Sequence, residues 1–267
     1  MRDLWSGPVH YTIQGVGVRA GRWSSPGHGQ VKVTPVATQT LTVHQRAARS
    51  TVALKVLMAV TGIFLILFLL MHAWGNLKAF FGPEAYDHYA EWLKSDILYP
   101  LVPKGWFIWI FRVFLVACIV GHMASAYVLT LRSRAARGSY QRKDRRAQTF
   151  SARTMRWGGI ILLMLLLFHL GQFTLKWFLT GFTASSTPYE SVVLTFQQWY
   201  MVLLYALFVG TVCIHIRHGI WSAMTTLGAN TSPVARRNLN NTAIAVSALL
   251  FVGFMVMPVA VLFGGIK

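Results

Sequence analysis

Five histidines lie inside long apolar segments of the sequence, and four separate segments carry at least one of them. They are His72, His122, His169, His215 and His218. Ionisable side chains are costly at membrane depth, so imidazoles that face one bundle interior indicate either cofactor ligation or a proton path. His215 precedes His218 by about one helical turn, so these two share part of a helix face.

The composition of the chain is that of an integral membrane protein. Hydrophobic residues make up 55% of its 267 positions and charged residues only 12%, against roughly 25% charged residues in soluble domains. The mean hydropathy is +0.50. Five apolar runs reach the roughly 20 residues that a membrane-spanning helix needs: they cover 52–73, 106–131, 157–178, 197–223 and 241–264. We therefore predict an all-α membrane domain of five transmembrane helices over 51–267, preceded by a polar cytoplasmic arm over 1–50.

Basic residues indicate the orientation of these helices, because Lys and Arg in short loops stay on the cytoplasmic side. They are concentrated in 1–55, in the 131–156 loop and in the 224–240 loop, whereas five of the seven acidic residues lie in the other loops. The N-terminus is thus expected in the cytoplasm and the C-terminus outside. The net charge of +18 suits anionic lipid headgroups and an acidic partner, while nucleic acid is a poor explanation because the basic residues flank membrane spans.

Helix rise predicts the depth of each histidine in the membrane. At 1.5 Å per residue, His72 lies within roughly 5 Å and His169 roughly 10 Å of the outer boundary. His122 and His218 lie about 24 and 28 Å below it on spans that run inward. The expected pairing is therefore His72 with His169 and His122 with His218, in two layers.

Two bis-histidine layers in a four-helix bundle fit two b-type haems, because imidazole is the usual axial ligand of haem iron. Glycines near the ligands would allow a porphyrin to approach the backbone; they are Gly121, Gly158, Gly171 and Gly219. The alternative is that the histidines donate interhelical hydrogen bonds and the small residues tighten helix packing. Either His215 or His218 could serve as the ligand from the fourth span.

Several segments resemble one known family over residues 50–241. The segments that show the resemblance are MAVTGIFLILFLLMHAWGNLKAFFGPEAYDHYAEWL, FRVFLVACIVGHMASAYVL, ARTMRWGGIILLMLLLFHL and HIRHGIWSAMTTLGAN. They are similar to the cytochrome b membrane-anchor subunit of succinate dehydrogenase and fumarate reductase, of the single-subunit, five-helix, di-haem type. The resemblance implies a haem-binding bundle of the first four spans, with His72, His122, His169 and His218 as ligands to the haem iron. It favours His218 because that residue precedes glycine. Met224 and Thr225 stand where relatives often have Gln.

The resemblance also implies a larger respiratory enzyme in the bacterial cytoplasmic membrane. A flavoprotein subunit with FAD would oxidise succinate, an iron–sulfur subunit would relay the electrons, and this chain would pass them to a quinone, expected to be menaquinone. Both partner subunits would dock on the cytoplasmic face. The chain itself carries neither a nucleotide-binding glycine motif nor a cysteine cluster for iron–sulfur ligation, so no catalytic residue for the dicarboxylate chemistry is assigned to it.

Three further groups of residues are candidates for supporting roles. Ser50, Arg49 and His44 at the inner end of span one are candidates for a quinone site. Arg112, Lys176 and Arg217 are candidates to pair with haem propionates, with snorkelling to the interface as the alternative. Glu84, Asp87, His88 and Glu91 form an acidic segment near the outer layer, which either exchanges protons or is a solvated loop helix.

Two other function classes share part of this pattern. The di-haem anchor of a formate dehydrogenase or hydrogenase would have the same haems and topology with a different electron donor. A transporter or proton channel would use the histidines as a relay and would not absorb light as a haem protein does.

Overall fold

The computed structural model describes residues 50–136, 149–178 and 180–267, and within these ranges the chain is helical with no strand. We number the helices in chain order: α1 (Thr51–Asn76), α2 (Pro83–Ser95), α3 (Trp106–Ala135), α4 (Thr149–His169), α5 (Pro188–Phe196), α6 (Trp199–Thr226) and α7 (Pro233–Leu262). A 3₁₀ turn at Leu77–Phe81 follows α1, and a π-helical turn at Leu170–Thr174 follows α4.

Five of these helices are long and apolar enough to cross a membrane, as the sequence predicts. Side chains that would face lipid are apolar and exposed along them, such as Leu67, Val113 and Leu207. Such a surface is stable against hydrocarbon and not against water. The prediction of a multi-pass all-α membrane protein is therefore confirmed. The polar arm lies outside the described residues, apart from Ser50.

Polar caps decide where the helices begin. The Ser50 hydroxyl accepts the Ala53 amide N–H at 3.0 Å and so caps α1. Ser232 caps α7 in the same way and Pro233 occupies the first position of that helix. For this reason α7 begins eight residues before the apolar run at 241, because its first turns are polar but helical. Span three ends at Thr174 instead of at 178. The π-helical turn ends at Thr174, and Lys176, two residues later, takes a positive φ of 53°.

Two pairs of transmembrane helices lie opposite each other across the bundle: α1 lies opposite α4, and α3 lies opposite α6. Helix α1 packs against α3, α6 and α7, and α6 packs against α4 and α7. Within the described chain, neither α1 and α4 nor α3 and α6 make extended backbone contact. Side chains from each of these two pairs meet across the bundle instead, as the next subsection shows.

Two short helices cover the end of the bundle near His72. The Tyr189 amide N–H in the first turn of α5 donates to Asp87 Oδ1 of α2 at 2.8 Å. A capping box between Thr187 and Glu190 also stabilises the start of α5. The acidic segment predicted from the sequence is therefore helix α2, and one of its carboxylates anchors α5.

Candidate functional site

His72 of α1 and His169 of α4 meet across the bundle with their ring centroids 5.9 Å apart and their planes at 84°. Aromatic rings surround them: Phe68 and Phe254 lie beside His72, and Phe173 and Phe208 beside His169. His169 Nδ1 lies 3.2 Å from the Tyr205 hydroxyl of α6. No described residue forms a hydrogen bond with the other ring nitrogen of His169, Nε2.

His122 of α3 is oriented by α1 through two contacts of its Nδ1 atom. That atom lies 3.0 Å from the Met58 carbonyl oxygen and 3.3 Å from Thr61 Oγ1. A main-chain carbonyl oxygen can only accept a hydrogen bond, so Nδ1 carries the proton and Nε2 keeps its lone pair. This neutral form of imidazole is the one that coordinates a metal.

The ring that faces His122 belongs to His215 of α6, with centroids 6.2 Å apart and planes at 60°. The Nδ1 atom of His215 is buried and has no hydrogen-bond partner among the described residues. A buried polar atom without a partner is costly and often marks the place of a ligand. His218, which the resemblance favours, lies one turn further along α6.

The two histidine pairs occupy two depths in the bundle. On α1, Thr61 contacts His122 and precedes His72 by 11 residues, which corresponds to about 16 Å along the helix axis. On α6, Tyr205 contacts His169 and precedes His215 by ten residues, or about 15 Å. Two independent helices thus give similar separations between the pairs.

The separations within each pair fit a metal ion held between two imidazoles. A nitrogen about 2 Å from the metal on each side places the ring centroids about 6 Å apart, close to the observed 5.9 and 6.2 Å. A haem needs only these two protein ligands, because its porphyrin supplies the other four. The described part of the chain has no group of three or more His, Cys, Asp or Glu side chains placed to hold a metal ion.

The glycines named from the sequence differ in the space around them. A Cβ atom at Gly171 would lie 2.6 Å from Phe178 Cε2, and one at Gly121 would lie 3.7 Å from Thr61 Cγ2, so these two positions pack against side chains. A Cβ atom at Gly158, Gly210 or Gly219 would meet no described atom within 4 Å. At Gly62 of α1 it would lie 3.3 Å from His122 Cε1, so the absence of a side chain there lets the imidazole pack against α1. Gly62 was not among the glycines singled out from the sequence.

Most of the supporting residues proposed from the sequence have contacts of their own. The Lys176 ammonium donates to the Ala184 and Ser186 carbonyl oxygens at 2.7 and 2.8 Å. The Arg112 guanidinium lies 4.9 Å from the centre of the Trp109 ring, and Arg217 is exposed on α6. Their pairing with propionates stays a prediction. Ser50 caps α1, while Arg49 and His44 lie outside the described residues.

Only one residue of the acidic segment of α2 forms a hydrogen bond to another helix in the described chain. Asp87 binds the start of α5, whereas Glu84, His88 and Glu91 are exposed. A role for them in proton exchange stays a prediction. Cys118 and Cys213 are buried free thiols.

Sequence reasoning overlooked the polar residues that orient the histidines. Thr61, Gln172 and Tyr205 lie inside or beside apolar spans, and each contributes to the surroundings of a histidine. Their polar character within such spans is the signal that identifies them, since polar side chains at membrane depth need a partner.

The geometry defines a class of protein: a multi-pass helical membrane protein with two facing imidazole pairs stacked along its bundle. Comparisons of the chain with protein-family models, with curated proteins and with solved structures find no match. The argument for function therefore depends on the site and on the sequence segments themselves.

Proposed function

We propose that this chain is the di-haem cytochrome b subunit that anchors a succinate:quinone oxidoreductase in the bacterial cytoplasmic membrane. The observation that carries the proposal is the pair of facing imidazoles at each of two depths, with ring separations of 5.9 and 6.2 Å. The resemblance of residues 50–241 to the di-haem anchor family supports the choice of enzyme. Its orientation, with the N-terminus in the cytoplasm, follows from the basic loops.

Haem iron with two imidazole ligands has no open coordination position, so it supplies one-electron transfer and does not activate substrate. His72 and His169 would hold one haem. His122 would hold the other together with His215, whose ring faces it, although the resemblance assigns this role to His218. Met58 and Thr61 orient His122, and Tyr205 orients His169, so both ligands are held in place before a haem binds.

The two layers would form a route for electrons along the bundle, from the cytoplasmic end of the membrane towards the other end. Electrons would enter from the iron–sulfur subunit, which receives them from the FAD of the flavoprotein subunit. The basic 131–156 loop and the N-terminal arm supply the positive charge for docking these partners. A quinone, taken to be menaquinone, would accept the electrons, with Ser50, Arg49 and His44 as candidates to bind it.

A spectrum of the purified chain tests the haem proposal directly. Dithionite reduction should produce the absorption bands of a b-type cytochrome, and a pyridine haemochrome assay should give two haems per chain. A colourless chain without iron would overturn the proposal and return the histidines to a packing role.

Isolation of the intact complex tests which enzyme the chain belongs to. Membranes solubilised in mild detergent should yield this chain together with a flavoprotein and an iron–sulfur protein. That complex should reduce a quinone with succinate and not with formate or hydrogen. A complex that responds to formate or hydrogen instead would place the chain in another quinone-linked dehydrogenase.

A further inference from the structure

A chain of buried hydrogen bonds runs from α5 through the π-helical turn to His169. Gln172 Nε2 donates to Thr195 Oγ1 and to Thr180 Oγ1, the Tyr205 hydroxyl donates to Gln172 Oε1 at 2.6 Å, and His169 Nδ1 lies 3.2 Å from the same hydroxyl. We propose that Tyr205 and Gln172 are positioning residues that hold a hydrogen-bond acceptor against His169 Nδ1 and so lower the reduction potential of the haem that His169 ligates.

The direction of each hydrogen bond follows from the donors available. The Thr195 hydroxyl donates its proton to the Ser191 carbonyl oxygen at 2.7 Å, so its oxygen accepts from Gln172. This contact turns the amide nitrogen of Gln172 towards Thr195 and its carbonyl oxygen towards Tyr205. The single proton of Tyr205 is therefore used on Gln172.

With its proton committed to Gln172, Tyr205 can only accept from His169. The proton of the neutral imidazole thus lies on Nδ1, and Nε2 keeps the lone pair that a metal needs. A hydrogen bond from Nδ1 to an acceptor also makes the imidazole a stronger donor to the metal, which favours the ferric state over the ferrous state.

Burial makes this arrangement specific. Gln172 and Thr195 are both 0% exposed, and Tyr205 is 7% exposed. In such surroundings a polar atom that loses its partner cannot bond to water instead. A rotation of the Gln172 amide that exchanged its oxygen and nitrogen would therefore leave buried polar atoms unpaired. Gln172 lies in the π-helical turn that begins after His169. The side chains of His169 and Gln172 therefore both contact Tyr205.

Because the role requires iron at His169, it rests on the proposed function. The test is a redox titration of the intact complex, followed by haem absorbance, in wild type and in Tyr205→Phe. The variant keeps the ring and loses the acceptor oxygen. We expect about a tenfold shift of one haem towards the ferrous state, which is a rise of about 59 mV for a one-electron couple, while the other haem is unchanged.

Two further variants separate this role from a structural one. Tyr200→Phe removes an exposed hydroxyl from the same helix and should move neither potential. Gln172→Leu removes the group that accepts the Tyr205 proton, which leaves the phenol oxygen a weaker and less well-oriented acceptor for the His169 Nδ1–H. It should therefore raise the same potential as Tyr205→Phe, and it serves as the test if that variant does not assemble. His169→Ala identifies the affected haem by removing it.

The outcomes distinguish the inference from the proposed function. If the wild type holds two haems and both potentials stay within error in Tyr205→Phe and Gln172→Leu, the positioning role is wrong and the cytochrome proposal stands. If the wild type holds no haem, both fall.

Discussion

The imidazole rings of His122 and His215 face each other across the bundle with their centroids 6.2 Å apart. His122 Nδ1 is occupied by the Met58 carbonyl oxygen, and His215 Nδ1 is buried without a described partner. Replacing His215 with alanine should therefore remove one of two haems, halving the haem-to-chain ratio in a pyridine haemochrome assay. The loss should affect only the haem that does not depend on His169.

His218→Ala is the matched control for that substitution. It removes an imidazole from the same helix one turn away, and we expect both haems to remain. The HG dipeptide in the sequence favours His218 as the ligand, so this pair of variants decides between the two assignments. Loss of a haem in His218→Ala, with both retained in His215→Ala, would show that the ring separation misidentifies the ligand.

Gly62 provides a second test of the layer that contains His122. A Cβ atom there would lie 3.3 Å from His122 Cε1, closer than an ordinary contact. Gly62→Ala should therefore push the ring from Met58, at an overpacking cost of about 1–3 kcal/mol. We expect the haem bound there to dissociate more readily, measured as haem lost from the chain during thermal unfolding.

The control for Gly62→Ala is Gly253→Ala on α7. A Cβ atom at Gly253 would lie 3.5 Å from the Ala73 Cβ, which is an ordinary van der Waals distance. This variant should retain both haems to the same temperature as wild type. Equal retention by both variants would mean that the contact between Gly62 and His122 has no bearing on the site.

The parts of this fold that sequence predicts are those that depend on hydropathy and helix rise. Five spans follow from apolar length, and depth alone places His72 and His169 in one layer, where their rings are found 5.9 Å apart. Depth separates His215 from His218 by only about 4.5 Å. Which of them faces His122 depends on the rotation of α6 about its axis, and that rotation is decided by its packing against α1, α4 and α7.

The contact of Tyr205 with His169 and the hydrogen bond from Tyr205 to Gln172 have a different origin. They need the π-helical turn after His169 and the placement of α5, which brings Thr195 to Gln172. Neither follows from a hydrophobic pattern, because both elements are short and their register is set by tertiary contacts. Hydropathy misses the polar start of α7 for a related reason. The first turns of this helix depend on the Ser232 cap and not on apolar residues.

The bond between Asp87 and α5 should contribute measurably to stability. The Asp87 carboxylate accepts a hydrogen bond from the Tyr189 N–H in the first turn of α5 at 2.8 Å. An anion at this end of a helix also interacts favourably with the helix dipole. Asp87→Ala should lower the free energy of unfolding by about 1 kcal/mol, and Asp87→Asn, which keeps an acceptor oxygen, by less. Differential scanning fluorimetry of the purified chain measures this difference.

Glu91→Gln on the same helix is the control for Asp87. Glu91 is exposed, so the loss of its charge should leave the melting temperature within error of wild type. A melting temperature that falls equally for Glu91→Gln and Asp87→Ala would indicate a general effect of charge at this end and not a specific bond to α5.

Tyr86 of α2 predicts a dependence of stability on alkaline pH. Burial, together with the Asp87 carboxylate and the neighbouring Tyr89, raises the pKa of Tyr86 to about 12, above the value of about 10 expected in the unfolded chain. The folded state thus favours the neutral phenol. Its contribution to stability is complete below about pH 10 and is lost as the pH rises through about 12.

The measurement is the melting temperature of the purified chain from pH 8 to 12, compared with Tyr86→Phe. The variant has no phenolic proton to lose at this position, so its melting temperature should fall less steeply between pH 10 and 12. Tyr99→Phe removes a hydroxyl from a residue that is 59% exposed, and its curve should follow wild type. If the curves of wild type and Tyr86→Phe are parallel throughout this range, ionisation of Tyr86 does not contribute to alkaline unfolding.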